Sequence, residues 1–421
     1  MSEKTGWNWE TGVRQIANIT KQDQEVEWRE ESQVSPNGEQ IAAVVKTGDM
    51  EFGLCVNETV LEEVYDRAWY PRYSPDGRLT CLVTVAGEPT LSIDGQAMEE
   101  RFGFIWRTTF AGDSIAAAIQ NDMRYGMLHN GQIWKNLFIN ANSFVLSASG
   151  KTTAACIQAE EMAQADIKKF QEGIFSVAVN GQAWKSKFVN TWTPAVSSDD
   201  QQVAVQIRKD LYTYSIAVND QAWHQNFAMV WEPCFHPLSH EVFAPVRIGG
   251  KWGMAQDGHL VWPAVYGQLW QQQFNADGSV LAAIASPAYG KWTVCVNNTP
   301  WKSTVDRMLA DLTVSEDGKT LAVLGKNTQD MWAVIVNDCP WSGSYEMTSP
   351  PIISSDGAYV GISAEKNGRQ TIVVNDREYA KDFVQVWEPV FNPTNDKVLI
   401  RALDDQGNYL RIVEALSTFT Q

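Results

Sequence analysis

Soft and imidazole side chains come close together once in this chain, at Cys234, His236 and His240, in the run Cys234-Phe235-His236-Pro237-Leu238-Ser239-His240. A C-x-H-x-x-x-H spacing could hold zinc if four ligands converged at about 2.0–2.3 Å from one point. However, FHPLSH occupies the place that YSPDG takes elsewhere, so that His236 stands where Ser74 stands. A turn is therefore expected there rather than a metal centre. The other histidines are dispersed: His129 precedes an Asn-Gly pair, His224 follows Trp223, and His259 follows Gly258. No nucleophile elbow, phosphate loop, dinucleotide fingerprint or H-E-x-x-H occurs. The Asp-Gly turns resemble sialidase Asp-boxes only loosely, and no EF-hand-like carboxylate ladder is present. The sequence thus assigns no catalytic residue, no cofactor-binding residue and no metal ligand.

Charge narrows the partners. Lys and Arg number 33 against 50 Asp and Glu, a formal net charge of −17. Such a field repels phosphate backbones and anionic surfaces, so nucleic acid is not an expected partner. Most carboxylates fall in turns, where Asp satisfies local amides. The acidic stretches 23–31 and 58–66 read as a solvated rim, with the option of steering a basic partner such as a cationic cytochrome. The six cysteines are single and widely spaced, with no C-x-x-C. The start MSEKTGWNWETG lacks the pattern of a secretory signal, and no apolar run reaches the roughly 20 residues that span a bilayer. These features lead to the expectation of a thiol-containing protein of a reducing cytoplasm.

The elements that must position any site are repeated. The clearest copy, residues 269–302, reads LWQQQFNADGSVLAAIASPAYGKWTVCVNNTPWK. A first turn recurs at Asn37, Asp76, Gly112, Ser149, Asp199, Ser239, Asp277, Asp317, Asp356 and Asn395, and a short apolar run follows each. A second turn, mostly Asn-Gly or Asn-Asp, recurs at Asn57, Asp94, Asn130, Asn180, Asn219, Asp257, Asn297, Asn337 and Asn375. Asn-Gly between apolar strands signals a two-residue hairpin, because both central residues need positive φ. Each unit of about 39 residues then reads as a four-stranded antiparallel meander, the size of a β-propeller blade. The fold class expected is an all-β propeller of about ten such units, in a single ring over residues 25–421.

The last unit stops one strand short, whereas residues 1–24 are in excess at the other end. A segment within residues 7–19 is expected to complete the final blade, since sharing a blade between termini removes two open edges. Residues 158–173, QAEEMAQADIKKFQEG, lengthen the fourth unit and read as a short inserted helix ended by Gly173. Of 18 tryptophans, only Trp7 and Trp9 fall outside the repeat. Seven lie in the lead-in strand (Trp28, Trp69, Trp106, Trp192, Trp231, Trp270, Trp387), six follow the second turn, and Trp252, Trp292 and Trp332 open the third strand. Such regularity points to wedges between sheets, not to a ligand-stacking set.

The units VNGQAW (179–184) and VNDQAW (218–223), the two copies of VWEP at 230–233 and 386–389, and the start MSEKTGWNWETGVRQI together resemble the tryptophan-rich subunit of the transmembrane tetrahaem cytochrome c complex of sulfate-reducing bacteria. The chain differs from WD-repeat proteins in having no Trp-Asp dipeptide. The resemblance implies a non-catalytic accessory subunit without cofactors, cytoplasmic and peripheral to the inner membrane. It further implies partners that include a tetrahaem cytochrome c, an iron–sulfur subunit and a cytochrome b, docked through the propeller faces. The alternative is a propeller hydrolase or lyase with its site in the central channel, which requires carboxylates or histidines converging at one mouth.

Overall fold

In the computed structural model, residues 4, 6–21, 26–162 and 166–419 are described. Part of the acidic stretch 23–31, residues 23–25, lies outside them. Ten small antiparallel sheets stand in a ring, forming a ten-bladed β-propeller. Blade 1 comprises Trp28–Val34, Ile41–Gly48, Glu51–Val56 and Thr59–Val60, paired in that order. Blades 2 to 9 repeat the plan with first strands that start at Arg67, Phe104, Asn140, Asn190, Met229, Gln268, Met308 and Met347. The closing strand is only two residues long in eight of these nine blades, and blade 6 extends it to His259–Tyr266.

Blade 10 is built from both ends of the chain. Gln385–Val386, Lys397–Leu403 and Asn408–Ala415 supply three strands, and Gly12–Asn18 supplies the fourth. That N-terminal strand pairs with Asn408–Ala415 antiparallel, from Gly12 opposite Val413 to Asn18 opposite Asn408. The expectation that residues 7–19 contain the missing strand is met.

The same side-chain chemistry builds every second turn. The Asn or Asp that opens it has positive φ in all nine copies, from Asn57 to Asn375. Its side-chain oxygen also accepts the backbone N–H that begins the second strand of its own blade, at Ile41, Leu79, Ile115, Thr153, Val203, Val242, Leu281, Leu321 and Val360. Asn is thus selected twice at this position, by conformation and by an otherwise orphaned donor.

In the first turns a buried Ser or Asn does comparable work. Ser35, Ser74, Ser147, Ser197, Ser315 and Ser354 each accept a backbone N–H four or five residues ahead. The turn carboxylates are held by local donors. The Lys319 backbone N–H, together with the Ser315 hydroxyl, holds Asp317 down to about 2. Asp199, Asp277 and Asp396 are depressed chiefly by the side-chain hydroxyls of Ser197, Ser279 and Thr394. A carboxylate favoured in the folded state adds stability that is complete above its unfolded value of about 4 and is lost as pH falls through its folded value. The denaturation midpoint is therefore expected to hold steady from neutral pH to about 4 and to drop between about 4 and 2. Replacing Asp199, Asp277, Asp317 and Asp396 with Asn should flatten that drop, and an equally steep loss in the quadruple variant would remove these turns as its source.

The tryptophans meet partners across the middle of a sheet. Trp231 stacks on Trp252 at 5.2 Å with 4° between planes, and Trp270 lies 4.8 Å from Trp292. Trp106 with Tyr125, Trp192 with Tyr214 and Trp387 with Tyr409 repeat the pairing of first and third strands. One expectation needs correction. Only Trp134, Trp223, Trp252 and Trp262 are fully buried, while most others are half-buried. Trp28 lies in the lead-in strand as expected, at its first residue, and is exposed.

The first strand, nearest the channel, is broken at a fixed place. Its fourth residue has positive φ at Glu31, Tyr70, Arg107, Ser143, Gln271 and Asp311. Blades 5, 6, 9 and 10 interrupt the ladder instead with Pro194, Pro233, Pro350-Pro351 and Pro389. Bulges and prolines both end regular pairing along an edge, which keeps the inner rim from recruiting another strand.

Candidate functional site

The one cluster of soft ligands resolves into a turn. His236 Nδ1 accepts the backbone N–H groups of Leu238 and Ser239 at 3.3 and 3.1 Å, two and three residues ahead within the same turn. Its ring packs edge-on against Phe274 at 5.0 Å and covers Gly278 of blade 7. A Cβ at Gly278 would lie 2.1 Å from His236 Nε2, at a φ of +78°. Burial pushes the Cys234 thiol up to about 12, which opposes the thiolate that a metal requires. Among the described residues no group of three His, Cys, Asp or Glu side chains could hold a metal ion.

His240 takes part in a second arrangement that the sequence reading missed. Its Nδ1 lies 3.2 Å from Asp199 Oδ2 and its Nε2 3.2 Å from Ser198 Oγ. The order Asp, His, Ser is that of a hydrolase triad. Yet Ser198 Oγ is closer, 2.7 Å, to the Pro237 carbonyl oxygen, which can only accept, so the hydroxyl proton is committed there. The contact also belongs to a series that joins the first turns of neighbouring blades. Ser149 bonds Asp200, Thr320 Oγ1 donates to Gly357 O at 2.8 Å, and Ser355 bonds Asn395 at about 3 Å. His129 Nε2 lies 2.9 Å from Gly150 O in the same role. His129, His236 and His240 thus act as struts between blades.

The perimeter is clamped in a comparable way. The second Asp of an Asn-Asp turn accepts two backbone N–H groups just after the closing Trp of the preceding blade. Asp220 holds Lys185 and Ser186, Asp338 holds Lys302 and Ser303, and Asp376 holds Ser342 and Gly343. The acidic stretch 58–66 is partly consumed by such contacts. Glu58 receives Lys21 Nζ and the Asn18 backbone N–H, both at 2.9 Å, while Glu63 receives the Ala97 N–H at 2.7 Å.

Glu31, Arg107 and Asp311 hold the fourth position of their first strands, and Glu232 and Glu388 the corresponding place after the short first strands of blades 6 and 10. Ten sheets packed about 10 Å apart place the middles of the blades on a circle roughly 32 Å across. Open clefts of about 440 Å³ occur at seams between blades, one of them lined by His236, Phe243, Trp262 and Phe274.

The two faces differ sharply. The first and second turns form a polar face whose side chains satisfy one another. The opposite face carries the hairpins between second and third strands and the links between blades. Most exposed large apolar side chains lie there: Trp28, Met50, Val64, Phe104, Met123, Leu211, Tyr212, Ile248, Tyr289, Met308, Met347 and Val384. The inserted segment of blade 4 also reaches this face. Its helix, Ile167–Glu172, is one and a half turns long, capped by Asp166 and ended by Gly173 at a φ of 100°, and it exposes Ile167.

Comparison with known proteins adds no activity. No family model and no curated protein matches the chain. Among solved structures, a eukaryotic initiation factor aligns at a TM-score of 0.47 and 12% identity, covering 78% of this chain and 90% of that one. The tricorn protease aligns at 0.35 and 13%, covering 78% of this chain and 34% of its own. A puromycin-hydrolysing peptidase of Mycobacterium tuberculosis aligns at 0.37 and 10%, covering 84% and 61%. At such values the likeness carries no argument about function. No helix among the described residues is long and apolar enough to cross a membrane.

Proposed function

We propose that this propeller is a non-catalytic docking subunit of a membrane-associated electron-transfer complex, peripheral to the membrane and bound to its redox partners through the hairpin face. The observation that carries this reading is the division of labour between faces. Histidines and carboxylates on the turn face are spent on holding blades together, while exposed apolar side chains gather on the opposite face, as surfaces that bind other proteins do. The partners expected from the sequence resemblance are a tetrahaem cytochrome c, an iron–sulfur subunit and a cytochrome b.

The test is purification of the tagged chain from gently solubilised native membranes, with identification of the co-eluting proteins. Haem-containing and iron–sulfur subunits should accompany a colourless propeller. Recovery of the chain alone under those conditions would count against the reading, as would a chromophore carried by the isolated chain.

A further inference from the structure

The hairpin face is not uniform in charge, and its sectors call for different partners. At the tips of blades 1 to 3, exposed Met50 and Met123 are flanked by Asp49, Glu51 and Asp122, with Glu88 at the tip between them; Arg124 and Lys46, the latter paired with Glu27, are the nearby cations. At the tips of blades 5 to 7 the sign is reversed. Residues 208–213 read Arg-Lys-Asp-Leu-Tyr-Thr, 247–251 read Arg-Ile-Gly-Gly-Lys, and 287–291 read Pro-Ala-Tyr-Gly-Lys. Five cations and one carboxylate fall in these three tips, on a chain whose net charge is −17.

Their apolar residues are the most exposed aromatics of the molecule. Tyr289 is fully exposed and Tyr212 is 82% exposed, with Leu211 and Ile248 beside them. The tips are braced from behind. Arg208 donates to the carbonyls of Asp210 and Leu211 and lies over the Tyr214 ring, Lys209 donates to Asn226 at 3.0 Å, and Lys291 pairs with Asp306. Asp210 is tied to its own loop through the Tyr212 N–H at 2.9 Å. Arg247 and Lys251, on either side of Ile248-Gly249-Gly250, are exposed and have no side-chain hydrogen bond or ion pair among the described residues.

We infer that the hairpin tips of blades 5 to 7 dock on an anionic phospholipid surface, with Tyr212, Ile248 and Tyr289 entering the headgroup region and Arg247 and Lys251 meeting lipid phosphates. Tyr is suited to that boundary because its ring is apolar and its hydroxyl stays wet. Lys and Arg stems lie along apolar surface and deliver their charge to the headgroups. The blades hold three tips on one face of a rigid ring, so that shallow contacts act together, whereas each alone would be weak. Acidic tips on blades 1 to 3 would orient the ring by avoiding the same surface. This contact involves lipid directly and stands whether or not the redox partners proposed above are the right ones.

Vesicle co-sedimentation of the purified full-length chain tests it without any partner. Binding is expected to vesicles of phosphatidylcholine mixed with phosphatidylglycerol, to be absent with phosphatidylcholine alone, and to fall as salt is raised. At about a fivefold to tenfold effect for each cation near the surface, the double variant R247Q/K251Q should bind about thirtyfold or more weakly. Y212S/Y289S should also bind more weakly, but with an unchanged salt dependence. Both variants should keep the denaturation midpoint of the parent, because the four side chains are exposed. Equal binding to neutral and anionic vesicles, or undiminished binding by both variants, would overturn the proposal. Failure to bind vesicles combined with binding to soluble polyglutamate would also overturn it, and would assign the patch to an acidic protein.

Discussion

Arg411→Ala is expected to lower the stability of the ring by about 2–4 kcal/mol, read as a shift of the urea midpoint. Arg411 lies in the strand that joins the two ends of the chain, and it is 2% exposed. Its Nε donates to Asn37 O at 2.9 Å and meets Glu39 Oε1 at 3.0 Å, while an Nη donates to Asn8 O. Three segments are thus tied at the seam between blades 10 and 1: the N-terminal segment, the first turn of blade 1 and the third strand of blade 10. Truncation would remove the donor that the carbonyls of Asn37 and Asn8 share and open a cavity at the seam, whereas Glu39 would keep Arg14.

The same seam supplies a control. Arg14 also pairs with Glu39, but both side chains are well exposed, so Arg14→Ala should cost no more than about 1 kcal/mol. Arg411→Lys keeps the charge and loses the planar fork, and should fall between the two. Equal midpoints for Arg411→Ala and Arg14→Ala would mean that the guanidinium is not what closes the ring.

Much of this architecture was legible because the turns announce themselves. An Asn or Asp at each second turn is demanded by left-handed backbone and by a waiting N–H, so its spacing marks the nine blades that close within one run of chain. The incomplete last unit likewise implied the strand that Gly12–Asn18 supplies. Other features had no comparable signal. The bulge in the first strand is made by Glu31, Tyr70, Arg107, Ser143, Gln271 and Asp311, which share a conformation and no chemistry. Arg401 and Arg411 looked like ordinary strand residues, since only the closed ring shows that they face backbone carbonyls across a seam. The turn-face struts were hidden for the same reason: His240, Ser198 and Asp199 meet only when adjacent blades are stacked. The apolar hairpin tips were present in the sequence, at Asp122-Met123 and Leu211-Tyr212 for example, but a strand-by-strand reading gives no weight to what all the tips share.

Tryptophan wedges were read correctly as a class and too generously as individuals, and a pair of substitutions separates the two statements. Trp134 is 6% exposed, sits among Met127, Phe144 and Ile157 at the seam of blades 3 and 4, and donates its indole N–H to Thr153 Oγ1 at 2.8 Å. Trp134→Ala should cost about 3–5 kcal/mol, the range for truncating a buried aromatic ring. The loss has two sources, since the cavity cannot collapse against two flat sheets and the Thr153 hydroxyl loses its donor. Trp301 occupies the matching place after its second turn but is half-buried, packing against Val294, Leu309 and Leu321 from one side. Its truncation, expected from sequence regularity alone to cost about 3–5 kcal/mol, should cost about 1–3 kcal/mol, because much of the ring is already in water. Trp134→Phe would retain most of the burial while breaking the hydrogen bond, and should recover about half of the loss seen with Ala. If Trp134→Ala and Trp301→Ala moved the midpoint equally, repeat position rather than burial would set the contribution of each ring, and the wedge account would have to be rebuilt on that basis.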